Sequence, residues 1–489
     1  MRQQGDRVTG QRGNRTLLFA VLAVAIVARI AASVPDLYHH PDEVWQYLEP
    51  AYWLVEGRMV RAWEYRAGIR SWLIPLFLTP PIWLGKLIDP DGPLYIALGR
   101  GLMAALSLPA VASAVVLGLR TSRLHALAMG LFAALWFDFV YFAPRSLSES
   151  IGLALIVPAA CLAALDPRAP QRRLALIGLL LGLAVAARYQ LVPLAGVIAI
   201  GTARLRPRDW GWLFAGGAAA LVLSALADAS MGQMPFRWLV RNFAINLLHD
   251  KASAFGVSPW YGYGTLLIER WGWGTVLIAP LALIGARRYP VMAIGFLALV
   301  VLHSFIPHKE YRFIVPGVAL VILLAAHGLA TVAGWAVRDR RGKAAMVVVV
   351  GLAACTVSLL QPLSWRGGRG FIEAARLAGG PGSCGLAIVG TPHPLLVAHY
   401  FLDRDQPVYA FIGRPGLDEA RRTPSAYNRI YATRGAAAAL PPGYRRIACP
   451  VGFKKRSDGL CVYARPGTCS GPPPPPRYGI NRQMEALGI

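Results

Sequence analysis

Long apolar runs, separated by short polar or basic segments, recur along most of the chain. They lie near residues 16–34, 93–119, 124–143, 146–165, 172–187, 189–203, 211–229, 263–286, 290–306, 311–336 and 343–361. Since roughly 20 apolar residues cross a bilayer as a helix, this pattern predicts an all-α polytopic membrane protein with about eleven transmembrane helices. The first run, Leu17 to Val34, follows a basic segment and ends in small residues, as a cleavable signal does. It is longer than a signal core and is followed by a hydrophobic series, so it reads as the first span.

One further apolar stretch, Ser71 to Ile88, is long enough to cross but is broken by Pro75, Pro80 and Pro81. Counting it as a span moves every later basic loop to the outside. The positive-inside rule therefore places it as a helix embedded in the outer leaflet, within a large first external loop over 35–92. The expected organisation is a cytoplasmic basic N-terminus (1–15), a transmembrane domain (16–361) with a second external loop at 230–262, and a small external C-terminal region (365–489). If Ser71 to Ile88 crossed, the loop after the first span and the loop near residue 310 would face opposite sides.

Composition agrees with this reading. Of the 489 residues 55% are hydrophobic and only 15% charged, and the mean hydropathy is +0.46. The formal net charge of +25 raises the question of nucleic acid. The basic residues, however, are not gathered into one patch with interleaved aromatics. They punctuate the spans: Arg2, Arg7, Arg12 and Arg15, Arg120 and Arg123, Arg168 to Arg173, Arg204 to Arg208, Arg287 and Arg288, and Arg338 to Lys343. That arrangement marks cytoplasmic loops. Four cysteines, Cys384, Cys449, Cys461 and Cys469, fall in the region placed outside, where one or two disulfides are expected. Cys161 and Cys355 lie in spans and read as packing residues, and no zinc spacing is present. Pro472 to Pro476 predict a stiff polyproline II segment leading to a loose end. No internal repeat is visible.

With this topology Asp42, Glu43, Arg145, Glu149, Arg188, Gln190, Asp228, His308, Lys309, Glu310 and Arg312 all fall at the external face. Ionisable groups at a bilayer are costly, and their convergence defines a candidate site. Asp42 and Glu43 follow the first span, where a carboxylate meets both lipid surface and water. Asp42 could also cap the helix starting at Glu43, a role compatible with catalysis. Beyond it, Trp45, Tyr47, Tyr52, Trp53, Trp63 and Tyr65 suit amphipathic helices in the headgroup layer. In FIPHKEYRFIVP, His308, Lys309 and Arg312 set cations against the positive-inside trend, which suits a phosphate or pyrophosphate. The bland alternative is snorkelling to headgroups, with Glu310 neutralising a neighbour. Ser146 and Glu149 fit a capping box, which leaves Arg145 unexplained. In the second external loop, Asn246, His249 and Asp250 are the candidate acceptor contacts, while Trp260, Tyr261 and Tyr263 fit an aromatic belt.

HPDE at His40 to Glu43 with EP at Glu49 and Pro50, WEY at Trp63 to Tyr65 with RSW from Arg70, and HKEYRF at His308 to Phe313 resemble glycosyltransferase family 22. These are the mannosyltransferases of the GT-C class that act in N-glycan and GPI-anchor pathways. Weaker echoes are RSLSES, RYQ at Arg188 to Gln190, Asp228, and the Asn246 to Tyr263 segment. The resemblance spans roughly 16–330 and implies a GT-C fold. It further implies a polyprenyl-phosphate-mannose donor and an inverting, metal-independent transfer to a hydroxyl of a glycolipid, with no cofactor beyond the donor. It assigns catalysis to Asp42 and Glu43. Lys309, Arg312, His308 and Arg145 are expected at the donor phosphate, and Arg188, Gln190, Asp228, Asn246, His249, Trp63 and Glu64 at sugar or acceptor. Glu149 departs from the Asn common in eukaryotic members. The Ala, Arg and Gly content suits a bacterial plasma membrane, with the site facing the periplasm, and an endoplasmic reticulum membrane is the alternative location.

A polyprenyl phosphate leaves without protonation, so one carboxylate acting as base can suffice while cations hold the departing phosphate. An oligosaccharyltransferase or O-antigen-ligase type of enzyme is the rival, but the carboxylate-rich cluster for a metal is missing. A transporter or flippase for lipid-linked sugar would call for broken midplane helices and internal symmetry.

Overall fold

The computed structural model describes residues 2–166, 169–204, 206–360, 364–390, 398–402, 406–453 and 456–488. Arg168, from one of the basic clusters, lies outside them. The chain divides into two compact units. The first comprises residues 1–34, 71–74 and 100–361, and the second residues 35–70, 75–99 and 362–489. The first external loop thus shares a unit with the C-terminal region.

In the first unit a helix stands at each of the eleven apolar runs. Among the described residues six are long and apolar enough to cross a membrane: Gln11–Ser33, Leu94–Leu119, Pro207–Ser230, Gly262–Ala286, Tyr311–Ala336 and Arg340–Leu359. The helix Tyr311–Ala336 is the hub, with 94% of its apolar window buried. Without a hydrophobic drive in lipid, helices associate by close packing at small residues. Here a Cβ at Gly285 would collide with the carbonyl of Leu324, and one at Gly328 with that of Leu281. The same reciprocal contact joins Gly178 to Leu213 and Gly216 to Ala175.

The run at 124–143 is not one helix. It splits at Trp136, extended at φ −66° and ψ 141°, into Arg123–Leu135 and Phe137–Tyr141. A break exposes the last carbonyls of the first piece, which hydrocarbon cannot satisfy. Arg29 supplies the donors. It is buried, and it donates to Ala133 O and Ala134 O at 3.2 Å and to Ser107 Oγ at 2.7 Å.

The apolar stretch at 71–88 forms the helix Leu73–Ile88, with Pro80 and Pro81 inside it. Its 16 residues extend about 24 Å, short of a roughly 30 Å hydrocarbon core.

In the second unit the first loop folds as a π-helical turn Glu43–Leu48, the helix Glu49–Glu56 and the turn Trp63–Arg66. Trp45, Tyr47, Tyr52 and Tyr65 are buried inside this unit, contrary to the headgroup-layer expectation. Tyr52, Tyr95 and Tyr400 pack ring on ring, with centroids 5.2–6.0 Å apart. Such ring pairs are worth about 0.5–1.5 kcal/mol beyond the area they bury.

The tail, whose secondary structure the apolar pattern left open, contains a five-stranded sheet. Its strands are β1 (Leu386–Val389), β2 (Val408–Phe411), β3 (Arg429–Thr433), β4 (Arg445–Phe453) and β5 (Arg456–Ala464), in the order β2-β1-β3-β5-β4. β1 runs parallel to both neighbours, while β5 is antiparallel to β3 and β4. Two disulfides, Cys384–Cys469 and Cys449–Cys461, staple the region, at the upper end of the expectation. Cys161 and Cys355 are free and buried. The chain end is not loose: the helix Ile480–Ala486 follows the prolines and buries Ile480 and Met484. Asn481 on this helix donates to Met59 O at 2.9 Å.

Candidate functional site

In the first unit Glu149 stands in the first turn of the helix Ser148–Ala164, whose N-cap makes no side-chain hydrogen bond. The carboxylate, 1% exposed, accepts from Arg188 Nη1 at 3.0 Å and lies 3.4 Å from Arg312 Nη1. Both guanidinium groups also lie on the Phe313 ring, at 4.6 and 5.0 Å. Arg312 donates to Glu310 from Nε at 2.7 Å and Nη2 at 3.1 Å, and Glu310 meets His308 Nε2 at 2.8 Å. A buried ion pair is tolerated only with such geometry and saturation. The result is a rigid chain, Arg188, Glu149, Arg312, Glu310, His308, drawn from three separate parts of the sequence.

Lys309 is engaged as well. Its ammonium donates to Ile306 O at 2.7 Å and Ser258 O at 3.1 Å, leaving one of three donors for a ligand. Its first role is to clamp the 258 segment onto the HKEYRF loop. Arg145 is fully buried, donates to Ala32 O at 3.3 Å and sits over the Tyr141 ring at 5.2 Å.

Asp228, fully buried, caps the segment entering the helix Leu73–Ile88: its Oδ1 accepts from Ser71 Oγ at 2.8 Å and Trp72 N at 2.9 Å. Asn246 donates to Asn242 Oδ1 at 2.9 Å, and Tyr189 Oη donates to the same atom at 3.1 Å. Gln190 is half-buried in the turn Tyr189–Leu191, and His249 is exposed.

In the second unit Asp42 precedes the π-helical turn but makes no cap hydrogen bond, so the capping alternative is not realised. Its side chain is 26% exposed, with Oδ1 3.2 Å from His40 Nδ1. The same Nδ1 accepts from Asp42 N at 3.2 Å, so it attracts the carboxylate only when it carries a proton. The neighbouring acids are committed. Glu43 accepts from His39 N at 2.9 Å and Glu64 from Gln46 Nε2 at 2.9 Å. Glu49, fully buried, accepts from Val60 N, His399 N and Nδ1, and Tyr400 N. Burial raises the Glu64 carboxyl above its ordinary range, Arg70 opposes this, and Asp42 adds to it. Burial alone would lower Arg70, but Tyr47, Glu64, Asp42 and Tyr65 outweigh it and hold the guanidinium above its ordinary value. Trp63 is half-buried.

Residues 19–368 match the model of the Alg9-like mannosyltransferase family. The chain belongs to that family. Among its relatives it is 30% identical to GPI mannosyltransferase 3 of Yarrowia lipolytica over 332 residues, 64% of this chain and 62% of the relative. It is 26% identical to GPI alpha-1,2-mannosyltransferase 3 of Danio rerio over 311 residues, 60% of this chain and 56% of the relative. The chain thus spans about three fifths of the length of the curated relatives it matches. In fold it is similar to ArnT from Cupriavidus metallidurans bound to undecaprenyl phosphate, with a TM-score of 0.61 at 14% identity over 94% of this chain and 98% of that one. The apo state of ArnT gives 0.58. The fold is that of the GT-C membrane glycosyltransferases.

This Alg9-like chain also uses residues that sequence reasoning passed over. Asp138, buried, accepts from Trp136 Nε1 at 3.0 Å and from Tyr311 Oη at 3.1 Å, pinning the HKEYRF loop. Arg270 lies over Phe137 at 4.3 Å and Tyr311 at 5.0 Å. An acid inside an apolar run is itself a signal of function, and Asp138 carried it. Across this region the cations Arg145, Arg188, Arg270, Lys309 and Arg312 outnumber the acids Glu149, Glu310 and Asp138, so among the described residues this cluster carries an excess of positive charge.

Proposed function

We propose that the protein transfers a hexose, mannose, from a polyprenyl-phosphate-linked donor to a hydroxyl of a glycolipid or glycan acceptor. Transfer inverts the anomeric carbon and uses Asp42 as general base. The observation that carries the base assignment is that, among the acids of HPDE, EP and WEY, Asp42 keeps solvent access while Glu43, Glu49 and Glu64 are buried and bonded. A base must reach the hydroxyl it deprotonates. Glu43 is then a positioning residue, orienting the turn through His39 N. The cations of the first unit, above all Arg188 and Arg312, take the donor phosphate, with Arg145 and Lys309 supporting them. The GPI mannosyltransferase relatives favour mannose and a glycolipid acceptor.

We place the reaction at the periplasmic face of a bacterial plasma membrane. The two disulfides favour an oxidising side for the C-terminal region, and the basic loops favour a cytoplasmic position for the opposite ends. No metal or cofactor takes part in this reading. Asp42→Asn is expected to abolish transfer from polyprenyl-phosphate-mannose with membrane insertion unchanged, and turnover at the wild-type rate removes Asp42 from the base role. Activity lost in EDTA favours the oligosaccharyltransferase type, and vesicle scrambling that survives Asp42→Asn favours a flippase. Mass spectrometry of envelope glycolipids with and without the gene identifies the product class by the missing hexose.

A further inference from the structure

Two buried polar atoms beside the Arg188 cluster have no hydrogen-bond partner among the described residues. His303, in the last turn of the helix Pro290–Ser304, is 3% exposed, and its Nδ1 lies 2.9 Å from Leu299 O. A carbonyl only accepts, so Nδ1 carries the proton and Nε2 is left as a lone pair. That Nε2 is buried without a hydrogen bond. Tyr263, at the start of the helix Gly262–Trp271, is 1% exposed, and its Oη is likewise buried without a hydrogen bond. The two rings stand nearly perpendicular with centroids 6.3 Å apart. Arg188 acts electrostatically on both, and Glu310 on Tyr263. Lys309 runs against this spot too, since a Cβ on Gly262 would lie 3.0 Å from Lys309 Cδ.

Leaving one such group unsatisfied costs about 1–3 kcal/mol. A core histidine settled by its single backbone bond is the bland reading. It does not account for two orphaned groups meeting at the external ends of two helices, next to phosphate-seeking arginines. An anion alone would not answer them, because an acceptor oxygen repels the Nε2 lone pair. A hydroxyl answers both: it donates to Nε2, and a second ring hydroxyl accepts from or donates to Tyr263 Oη.

We infer that His303 and Tyr263 form a sugar subsite that reads a ring hydroxyl of the phosphate-linked hexose, while Arg188 and Arg312 hold its phosphate. This rests on the hexose-transfer reading above. The test uses the full-length protein in nanodiscs, with synthetic polyprenyl-phosphate-mannose and its 2-, 3-, 4- and 6-deoxy analogues as donors. Wild type is expected to reject one analogue by roughly tenfold to hundredfold in kcat/KM. His303→Phe should use the full donor and that analogue about equally, and Tyr263→Phe should weaken the same discrimination. His303→Gln, which returns an acceptor near Nε2, should restore part of it. If wild type accepts every analogue as well as the full donor, or both Phe variants keep the wild-type preference, the subsite is wrong while hexose transfer stands. If wild type transfers from none of these donors, the reaction itself is wrong and the subsite falls with it.

Discussion

Glu64 is held in the folded protein with its proton bound more tightly than in an unfolded chain, because burial disfavours the carboxylate more than Arg70 favours it. Its contribution to stability is therefore complete at low pH. It is lost as pH rises from the ordinary glutamate range through the raised folded value. Thermal unfolding across that range should show the decline, and Glu64→Gln should flatten it. Glu149 is the opposite case, a buried carboxylate between two guanidinium groups. Glu149→Gln takes the carboxylate from Arg188 and leaves Arg312 with Glu310, and it is expected to cost on the order of 3 kcal/mol, read as a lower melting temperature. Part of this is legible from single residues: the topology read from sequence places Arg188, His308 and Arg312 on one side, and in the fold one chain of ion pairs joins them. The capping pattern around Glu149 does not reveal its long-range partners. The local pattern fits a cap, but an arginine 39 residues away and another on a third segment compete for the same oxygen.

At the scale of elements, apolar runs reveal where helices lie but not where they break. Trp136 sits inside a continuous hydrophobic stretch, and nothing near it in sequence calls for an extended residue. The break is permitted by Arg29, more than 100 residues earlier, which satisfies the carbonyls it exposes. Arg29→Met should leave Ala133 O and Ala134 O without donors and cost about 1–3 kcal/mol, measured as earlier heat-induced aggregation in detergent. Asp228, a candidate ligand contact from sequence, also caps the segment entering the helix Leu73–Ile88 through its Oδ1. Asp228→Ala is expected to lower stability by about 1 kcal/mol and to make the 71–74 segment more protease-sensitive.

For the whole molecule, the C-terminal sheet was the part least legible, because strands of four or five residues among Gly, Pro and Arg carry little periodicity. The disulfides were better marked, since the cysteines cluster in a part placed outside. Cys384–Cys469 spans 85 residues and Cys449–Cys461 only 12. On chain entropy alone, breaking the longer one should cost about 2 kcal/mol more, visible in the denaturant dependence of proteolysis of Cys384→Ser against Cys449→Ser. Glu49 adds an order in time. Its carboxylate, close behind Asp42, is satisfied by backbone N–H groups of His399 and Tyr400, some 350 positions downstream. At a synthesis rate of 5–20 residues per second, the first loop waits about 20–70 seconds for the segment that completes it. The last apolar run, ending near residue 361, is thus synthesised before Glu49 can meet the backbone groups that satisfy it.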